Sequence, residues 1–420
     1  MRRRQPPKAA PGVQTLTFTP DWIEEERTYE VITFLMGGGV EPYEADPITT
    51  VRAAEIKGWL RYWWRATRGG GNLDAMRQHE AEIWGWSAGE QGGPSKVVVE
   101  VETLNRGRAI THVRARRDQH VPLHHWRSPY SYVAFPLQTY TKPVLQGLRF
   151  ALHLRYPKIY QQDVHAALWA WEVFGGIGAR TRRGFGALKR MDEKASYPDQ
   201  TTVIKWIQDH LRRYAGNGTW PSDVPHLSSE MDFSFEFFDQ DPLEVWKNLI
   251  RVLKDFRQMR RRRFGRSLWP EPDEIRDLFQ TNKSGHEPSH KLWRYLRNKT
   301  QSYVFPRGQM GLPIVFQFKD EERGDPPKSV LIGPGEIDRW ASRLILKPLP
   351  CRNGFVGLAA VLEGPNLTEA QLKEQEGSRG WEVRLEFENS NEAEMVPPLR
   401  GEFNVLQAFI DFLKHSQKEE

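Results

Sequence analysis

The residues best suited to binding chemistry lie in one segment, AAEIKGWLRYWWRATRGGG, starting at Ala53. On a helix with about 100° per residue, four cations fall in a stripe roughly 80° wide, with Trp64 at its edge: Lys57, Arg61, Arg65 and Arg68. No Asp or Glu lies among the four, and their mutual repulsion would be relieved by RNA phosphates. We predict that this face and Trp64 contact RNA, a solvated charged face being the alternative. The opposite side suits packing on a sheet: Ile56, Trp59, Leu60, Trp63 and Thr67.

A second segment with binding potential is FGGIGARTRRGFGAL, residues 174–188. Glycine lets backbone N–H groups approach an anion, and arginine adds donors matched to phosphate oxygens. The dinucleotide fingerprint fails because Thr181 stands where its third glycine belongs, and there is no Gly-Lys-Ser/Thr as in a P-loop. We predict a phosphate-cradling loop, with a merely flexible loop as the alternative. The residues expected to contact RNA are Gly175, Gly176, Gly178, Arg180, Arg182, Arg183 and Gly184.

A third basic cluster comprises residues 260–263 together with Arg266. An arginine run at the end of a helix is commonly solvated and stabilised by the helix dipole. The alternative is a second RNA contact, for which we select Arg262, Arg263 and Arg266.

Catalytic candidates are few. His120, His124 and His125 lie in one long loop, and an imidazole pair could serve a metal-independent ribonuclease. The loop's aromatic and Arg residues favour contact with RNA or a neighbouring subunit instead. A zinc site lacks a fourth ligand, and Asp46 and Glu55 are too few for a two-metal nuclease. We predict no catalytic residue, no metal and no cofactor.

The elements that must position these residues indicate an α+β fold. In the first half we predict strands at residues 29–36, 96–104, 148–155 and 185–191, and helices at 53–68 and from an Asp163 cap onward. This is the β-α-β-β-α-β order of a ferredoxin-like domain. In the second half we predict a helix capped at Asp241, strands at 312–318, 343–346, 356–362 and 381–387, and a closing helix on Phe403, Leu406, Phe409, Ile410 and Leu413.

Length and composition indicate the number of domains and the cellular compartment. At 420 residues the chain suits two domains, and we predict a basic tail at 1–14, a domain at 15–195 and a domain at 196–420. The net charge of +6 and the clustered Arg fit a polyanionic partner. A single cysteine, Cys351, indicates a reducing compartment, and neither a secretory signal nor a membrane span is expected. A cytoplasmic protein is the expectation.

The first two segments together resemble the RAMP superfamily, the repeat-associated RNA-binding proteins of CRISPR systems. Within it, blocks spanning residues 37–349 are similar to the first subunits of type III-B Cmr complexes: MGGGVEPYEADPITTVRAAEIKGWLRYWWRA, FGGIGARTRRGFG, FGRSLWPEPDEIR, GLPIVFQF and RWASRLILKPL. The resemblance implies two tandem ferredoxin-like domains with a Gly/Arg-rich loop. It implies a non-catalytic, RNA-binding subunit of an antiviral ribonucleoprotein. Its partners would be other Cmr subunits, the CRISPR guide RNA near its 3′ side, and the end of the target RNA.

Overall fold

The computed structural model describes most of the chain. The described residues are 21–39, 44–46, 48–87, 92–115, 118–139, 142–216, 218–261, 265–281, 287–298, 302–319 and 324–416.

The first half is built around a four-stranded antiparallel sheet of order β2-β7-β1-β8. Its elements are β1 Trp22–Val31, α1 Ala53–Arg68, α2 Leu73–Trp84, β2 Val98–Asn105, β3 Arg108–Ile110, β4 His112–Arg114, β5 His120–Pro122, α3 Ser131–Ala134, β6 Val144–Gln146, β7 Arg149–Pro157, α4 Gln161–Phe174, β8 Leu188–Arg190 and α5 Val203–Tyr214. Helices α1 and α4 pack together and share one core with the sheet. The predicted β-α-β-β-α-β order is therefore confirmed for this half.

The first strand differs most from its prediction. It was expected at residues 29–36, but β1 begins at Trp22 and ends at Val31. Its early part, WIEEER, has few apolar residues, and its charged residues Glu25 and Arg27 form ion pairs along the sheet. Arg27 lies 2.6 Å from Glu25 and 2.7 Å from Glu172 of α4. Charge pairing across elements, which apolar alternation does not reveal, extends this strand.

A long insertion separates β2 from β7. It contains two small antiparallel pairs of strands, β4 with β5 and β3 with β6. Helix α3 lies between β5 and β6 in the chain. Its Tyr130 and Val133 are buried in a core that also includes Phe34, Phe185 and Trp246. The insertion therefore has its own packing against both halves of the chain.

The second half contains two antiparallel sheets, of order β12-β13-β9 and β10-β11-β14-β15. Its elements are β9 Phe233–Asp239, α6 Pro242–Arg257, α7 Glu271–Leu278, α8 Lys291–Arg297, β10 Ile314–Phe316, β11 Ser329–Ile332, β12 Leu344–Cys351, β13 Gly354–Val361, β14 Glu369–Glu374, β15 Gly380–Arg384, α9 Ser390–Glu394 and α10 Val405–His415. The predicted cap is confirmed, since the Asp241 side chain accepts from Leu243 N at 2.8 Å.

The three-stranded sheet repeats part of the first half's plan. The order of its elements, β9-α6-β12-β13-α10, is that of the first half without a final strand in the part of the chain that the structure describes. Helices α6 and α10 pack with this sheet, as α1 and α4 do with theirs. The closing helix begins at Val405, so Phe403 lies outside it and is exposed.

The two halves share a continuous core. Ile345 and Leu358, on β12 and β13, belong to the same buried cluster as the first-half sheet. Helix α5 lies beyond the boundary predicted at residue 195, yet its Ile207 and Leu211 are buried in this cluster. Cys351, at the end of β12, is buried too, and burial raises the pKa of its thiol to about 11.

None of the helices within the described ranges has the length and apolar character needed to span a membrane.

Candidate nucleic-acid interface

The basic face of α1 is partly neutralised by an acid from the next helix. Glu80 of α2 is only 5% exposed and accepts from both Arg61 Nε, at 2.9 Å, and Arg65 Nη1, at 2.6 Å. The expectation that the stripe lacks a compensating acid is therefore wrong. The acid lies on a helix that the sequence analysis did not identify. Arg61 and Arg65 keep about a third of their side chains exposed, so they remain accessible.

The end of α1 is tied to α4 by a buried carboxylate. Asp163 accepts from Trp64 Nε1 at 2.9 Å and lies 3.6 Å from Arg68 Nε. Trp64 is fully buried, so the prediction that it contacts RNA is wrong. Asp163 lies inside the first turn of α4 rather than at its predicted cap position, and its Oδ1 contacts α1 instead. Lys57 is half-buried, and burial together with the charge of Arg61 lowers the pKa of its ammonium.

The glycine-rich loop, residues 175–187, is closely packed. Gly178 has a φ of +78°, and a Cβ on it would lie 2.6 Å from Met36 O. Gly186 has a φ of +63°, and a Cβ there would lie 1.8 Å from Ile177 O. These positions require glycine for backbone geometry. Gly175, Gly176, Gly178 and Gly184 are all buried, and the RNA contact predicted for them stays a prediction.

A carboxylate from α1 lies against this loop. Glu55 Oε1, from the first turn of α1, accepts from Gly178 N at 2.6 Å. The backbone N–H group expected to receive a phosphate oxygen is thus already bound to a carboxylate. Burial raises the pKa of the Glu55 carboxyl.

Two of the loop's three predicted arginines connect it to the second half. Arg182 donates to Ser342 O and, at 2.8 Å, to the hydroxyl of Tyr62. Arg183 donates to Leu344 O at 2.7 Å, and burial with the nearby charge of Arg257 lowers its pKa to about 9. These guanidinium groups satisfy carbonyl oxygens at the start of β12. Their contact with RNA stays a prediction.

Arg180 occupies a different position, at the edge of the loop. Its φ is +61°, and its guanidinium lies over the ring of Phe135, with 4.8 Å between the guanidinium carbon and the ring centre. Phe135 follows α3 and is 54% exposed. Arg180 therefore lies where the glycine-rich loop meets the insertion, at the surface.

The third basic cluster is only partly described. Arg262 and Arg263 lie outside the described residues. Arg266 donates to Ser289 Oγ and Glu287 O, and it lies 3.4 Å from Asp273. This arginine holds the segment before α8 to α7, and an RNA contact by it remains a prediction.

An exposed basic surface lies in the long loop for which the sequence predicted contact with RNA or a neighbouring subunit, although no single residue of it was selected as a site. Residues 105–139, which we call the basic insertion, contain six Arg against one acid, Asp118. Trp126 is 71% exposed, and the Arg127 guanidinium carbon lies 4.6 Å from its ring centre. Arg108 and Arg114 are exposed on β3 and β4. The excess of arginine over acidic residues in this segment is the feature of the sequence that indicates a basic surface.

The three histidines considered as catalytic candidates, out of four in the basic insertion, differ in their exposure. His120 is exposed on β5, whereas His124 and His125 are half-buried in the following turns. His125 Nδ1 accepts from Arg127 N at 3.2 Å. Among the residues that the structure describes, no cluster of three or more His, Cys, Asp or Glu has a geometry that could hold a metal ion.

An open cavity of about 530 Å³ lies between α1 and the glycine-rich loop. Its walls include Arg52, Glu55, Gly58, Trp59, Tyr62 and Gly178. Trp59 and Tyr62 are half-buried, with 6.3 Å between their ring centres and nearly perpendicular planes. The cavity thus combines aromatic surface with one carboxylate and one guanidinium, a composition common in ligand sites.

A family model supports the sequence resemblance. Residues 28–189 match the RAMP superfamily, a range that covers most of the first-half sheet, helices α1 and α4, the basic insertion and the glycine-rich loop. The chain is also 27% identical over 157 residues to the CRISPR system Cmr subunit Cmr1-2 of Pyrococcus furiosus, covering 33% of this chain and 81% of that protein. The resemblance predicted from the sequence is confirmed.

Two solved structures are similar to the chain over most of its length. The crystal structure of Cmr1 from Pyrococcus furiosus in its apo form shares 17% identity and a TM-score of 0.47, covering 89% of this chain and 96% of that one. The cryo-EM structure of the type III-B Cmr-beta bound to cognate target RNA shares 14% identity with the chain at a TM-score of 0.46. That match covers 81% of this chain and 94% of the other.

Proposed function

We propose that this protein is a non-catalytic, RNA-binding subunit of a type III-B CRISPR Cmr ribonucleoprotein that acts in antiviral defence. It would assemble with other Cmr subunits in the cytoplasm and contact the guide RNA near its 3′ side and the end of the target RNA. Its first half would be a ferredoxin-like domain, and its second half a ferredoxin-like domain with a three-stranded sheet. The observation that carries the proposal is the basic insertion with its exposed Trp126.

The chemistry of the basic insertion favours a single-stranded nucleic acid. Arg108, Arg114 and Arg127 are exposed, and Asp118 is the only acid of the segment. Arginine neutralises phosphates and releases counterions, while an exposed indole stacks a base for about 1–3 kcal/mol. Arg127 already lies over the Trp126 ring, an arrangement that keeps the indole fixed in water. Arg180 lies over Phe135 of the insertion, and Arg61 and Arg65 of α1 keep about a third of their side chains accessible.

The proposal is tested by the salt dependence of RNA binding. Replacing Arg108, Arg114 and Arg127 by Ala should weaken binding to any sequence and flatten the plot of log K against log salt by about two, since each lost contact on a single strand contributes roughly 0.7. The matched control replaces three exposed arginines elsewhere by Ala: Arg212, Arg352 and Arg379. Equal slopes for the two triple variants would contradict the assignment.

The alternative is a metal-independent, guide-processing endoribonuclease. The observation that favours it is the presence of His120, His124 and His125 within the same basic insertion. Under our proposal, replacing all three by Ala leaves target cleavage by the reconstituted complex intact, with assembly checked by gel filtration. Cleavage of repeat RNA in EDTA by the purified wild-type chain, lost in the triple variant, would establish the alternative.

A further inference from the structure

We propose that the cavity between α1 and the glycine-rich loop binds one unstacked guanine of the RNA. The inference rests on the proposed function and deepens it, because it assigns base recognition to a chain whose other basic contacts would be to phosphates. The juxtaposition behind it is Glu55, Arg52 and Trp59 around one opening.

Glu55 supplies an acceptor of fixed position. Its Oε1 is held by Gly178 N at 2.6 Å and by a longer contact of 3.5 Å with Trp59 Nε1. Its Oε2 has no hydrogen-bond partner among the described residues. A carboxylate that lines a cavity and is anchored through one oxygen is matched to N–H donors on the edge of a base.

Arg52 supplies the complementary donor. Its Nη2 donates to Gly39 O at 3.0 Å, which fixes the side chain on the cavity wall. Arg52 lines the cavity, and its guanidinium carries further N–H donors from which a ligand oxygen can accept. Guanine alone among the four RNA bases offers two adjacent N–H donors, N1 and N2, next to an acceptor, O6.

The shape of the cavity suits a flat ring. Gly58 lies on the exposed face of α1 with no heavy atom within 4 Å of a Cβ built on it, so a ring can approach the helix backbone there. Trp59 and Tyr62 flank this gap on the same helix, and Arg182 holds the Tyr62 hydroxyl at 2.8 Å. Proteins that read single-stranded RNA stack splayed bases on such side chains and bond their Watson–Crick edges.

The test compares octamers of uridine that carry one central guanosine, inosine or adenosine, bound to the full chain and followed by fluorescence anisotropy. Wild type should prefer guanosine over adenosine by about 10-fold, with inosine between them because it lacks the N2 amino group. Glu55→Gln keeps an oxygen for Gly178 N but replaces the other acceptor by a donor. The ratio of guanosine to adenosine affinity should therefore fall to about one. Glu369→Gln, an exposed site on β14, is the matched control and should retain it.

A second variant separates loss of the site from loss of the fold. Gly58→Leu fills the gap on α1 and improves helix propensity, so it should abolish the guanosine preference without lowering the melting temperature. Equal binding of all three octamers by wild type would overturn the guanine site while leaving RNA binding intact. No binding of any octamer would overturn the proposed function and this inference together. A preference that survives both Glu55→Gln and Gly58→Leu would place guanine recognition elsewhere and also refute the site.

Discussion

At the scale of single residues, two tryptophans with similar neighbours have opposite roles. Trp64 and Trp126 are each followed by an arginine in the sequence, but Trp64 is fully buried while Trp126 is 71% exposed. Asp163 fixes the indole N–H of Trp64, whereas Arg127 covers a face of Trp126. Stability and RNA binding should therefore depend on different members of this pair.

We expect Trp64→Ala to lower the free energy of unfolding by about 3–5 kcal/mol, because it removes a large buried side chain and leaves Asp163 without a donor. Trp126→Ala should change stability by less than about 0.5 kcal/mol and weaken binding of single-stranded RNA. Urea denaturation and RNA titration of both variants check this. Comparable destabilisation by the two substitutions would contradict the burial described for Trp64.

Lys347 is a buried lysine at the junction of the halves. Its Nζ donates to Glu172 O at 2.9 Å and to Gly175 O at 2.8 Å, which caps the end of α4. Burial lowers the pKa of its ammonium from 10.5 to about 7. Between these values the unfolded chain binds more protons than the folded one, so this group makes stability rise as the pH increases from 7 to 10.5.

We therefore expect wild type to gain stability relative to Lys347→Met as the pH is raised from 7 to 9, by up to about 1.4 kcal/mol per pH unit. Other titrating groups are common to both proteins and cancel in the difference. Denaturant unfolding at three pH values measures it, with Lys373→Met, an exposed lysine on β14, as the control. Parallel pH curves for wild type and Lys347→Met would show that the ammonium keeps its ordinary pKa.

At the scale of elements, the glycine-rich loop acts as a packed connector between α4 and β8. Gly186 has positive φ and almost touches Ile177 O, so Gly186→Ala should destabilise by about 1–3 kcal/mol from φ alone, and by more from the clash. Gly218→Ala, where a Cβ meets nothing within 4 Å, is the control. Thermal unfolding of the two variants tests the difference. Equal melting temperatures would indicate that the loop adapts freely.

Much of this element structure could be predicted from the sequence. Helix α1 has the predicted bounds because its apolar period and the glycines that follow act locally. The acids that pair with α1 could not be predicted from its own sequence, since Glu80 belongs to another helix and Asp163 lies 99 positions from Trp64. The cavity was also beyond prediction, because Gly39, α1 and Gly178 meet only in the folded chain.

At the scale of the whole molecule, polar contacts join the two halves where their sequences are far apart. Trp246 Nε1 donates to Arg183 O at 2.7 Å, and Arg182 and Lys347 cross the same boundary. Separating the halves would expose a shared core and leave several buried carbonyl groups without donors. Residues from both sides of the boundary predicted at residue 195 share one core, and the division into two domains stays a prediction.

We expect the full chain to unfold in one calorimetric transition, and the fragment 21–216 to lack a cooperative transition because its glycine-rich loop loses Trp246 and Lys347. Scanning calorimetry of both proteins measures this, with coincident signals from Trp fluorescence and circular dichroism as the criterion of cooperativity. Two well-separated transitions in the full chain would show that the halves are energetically independent.

The buried cysteine also affects how the molecule can be labelled. Cys351 is the sole thiol of the sequence, and its low exposure and raised pKa keep it from forming the thiolate that attacks maleimides near neutral pH. A cysteine introduced at an exposed site outside the basic insertion, such as Arg352, would then carry a fluorophore without background. Energy transfer from that dye to one on an RNA end would report the orientation of the bound strand on the basic insertion.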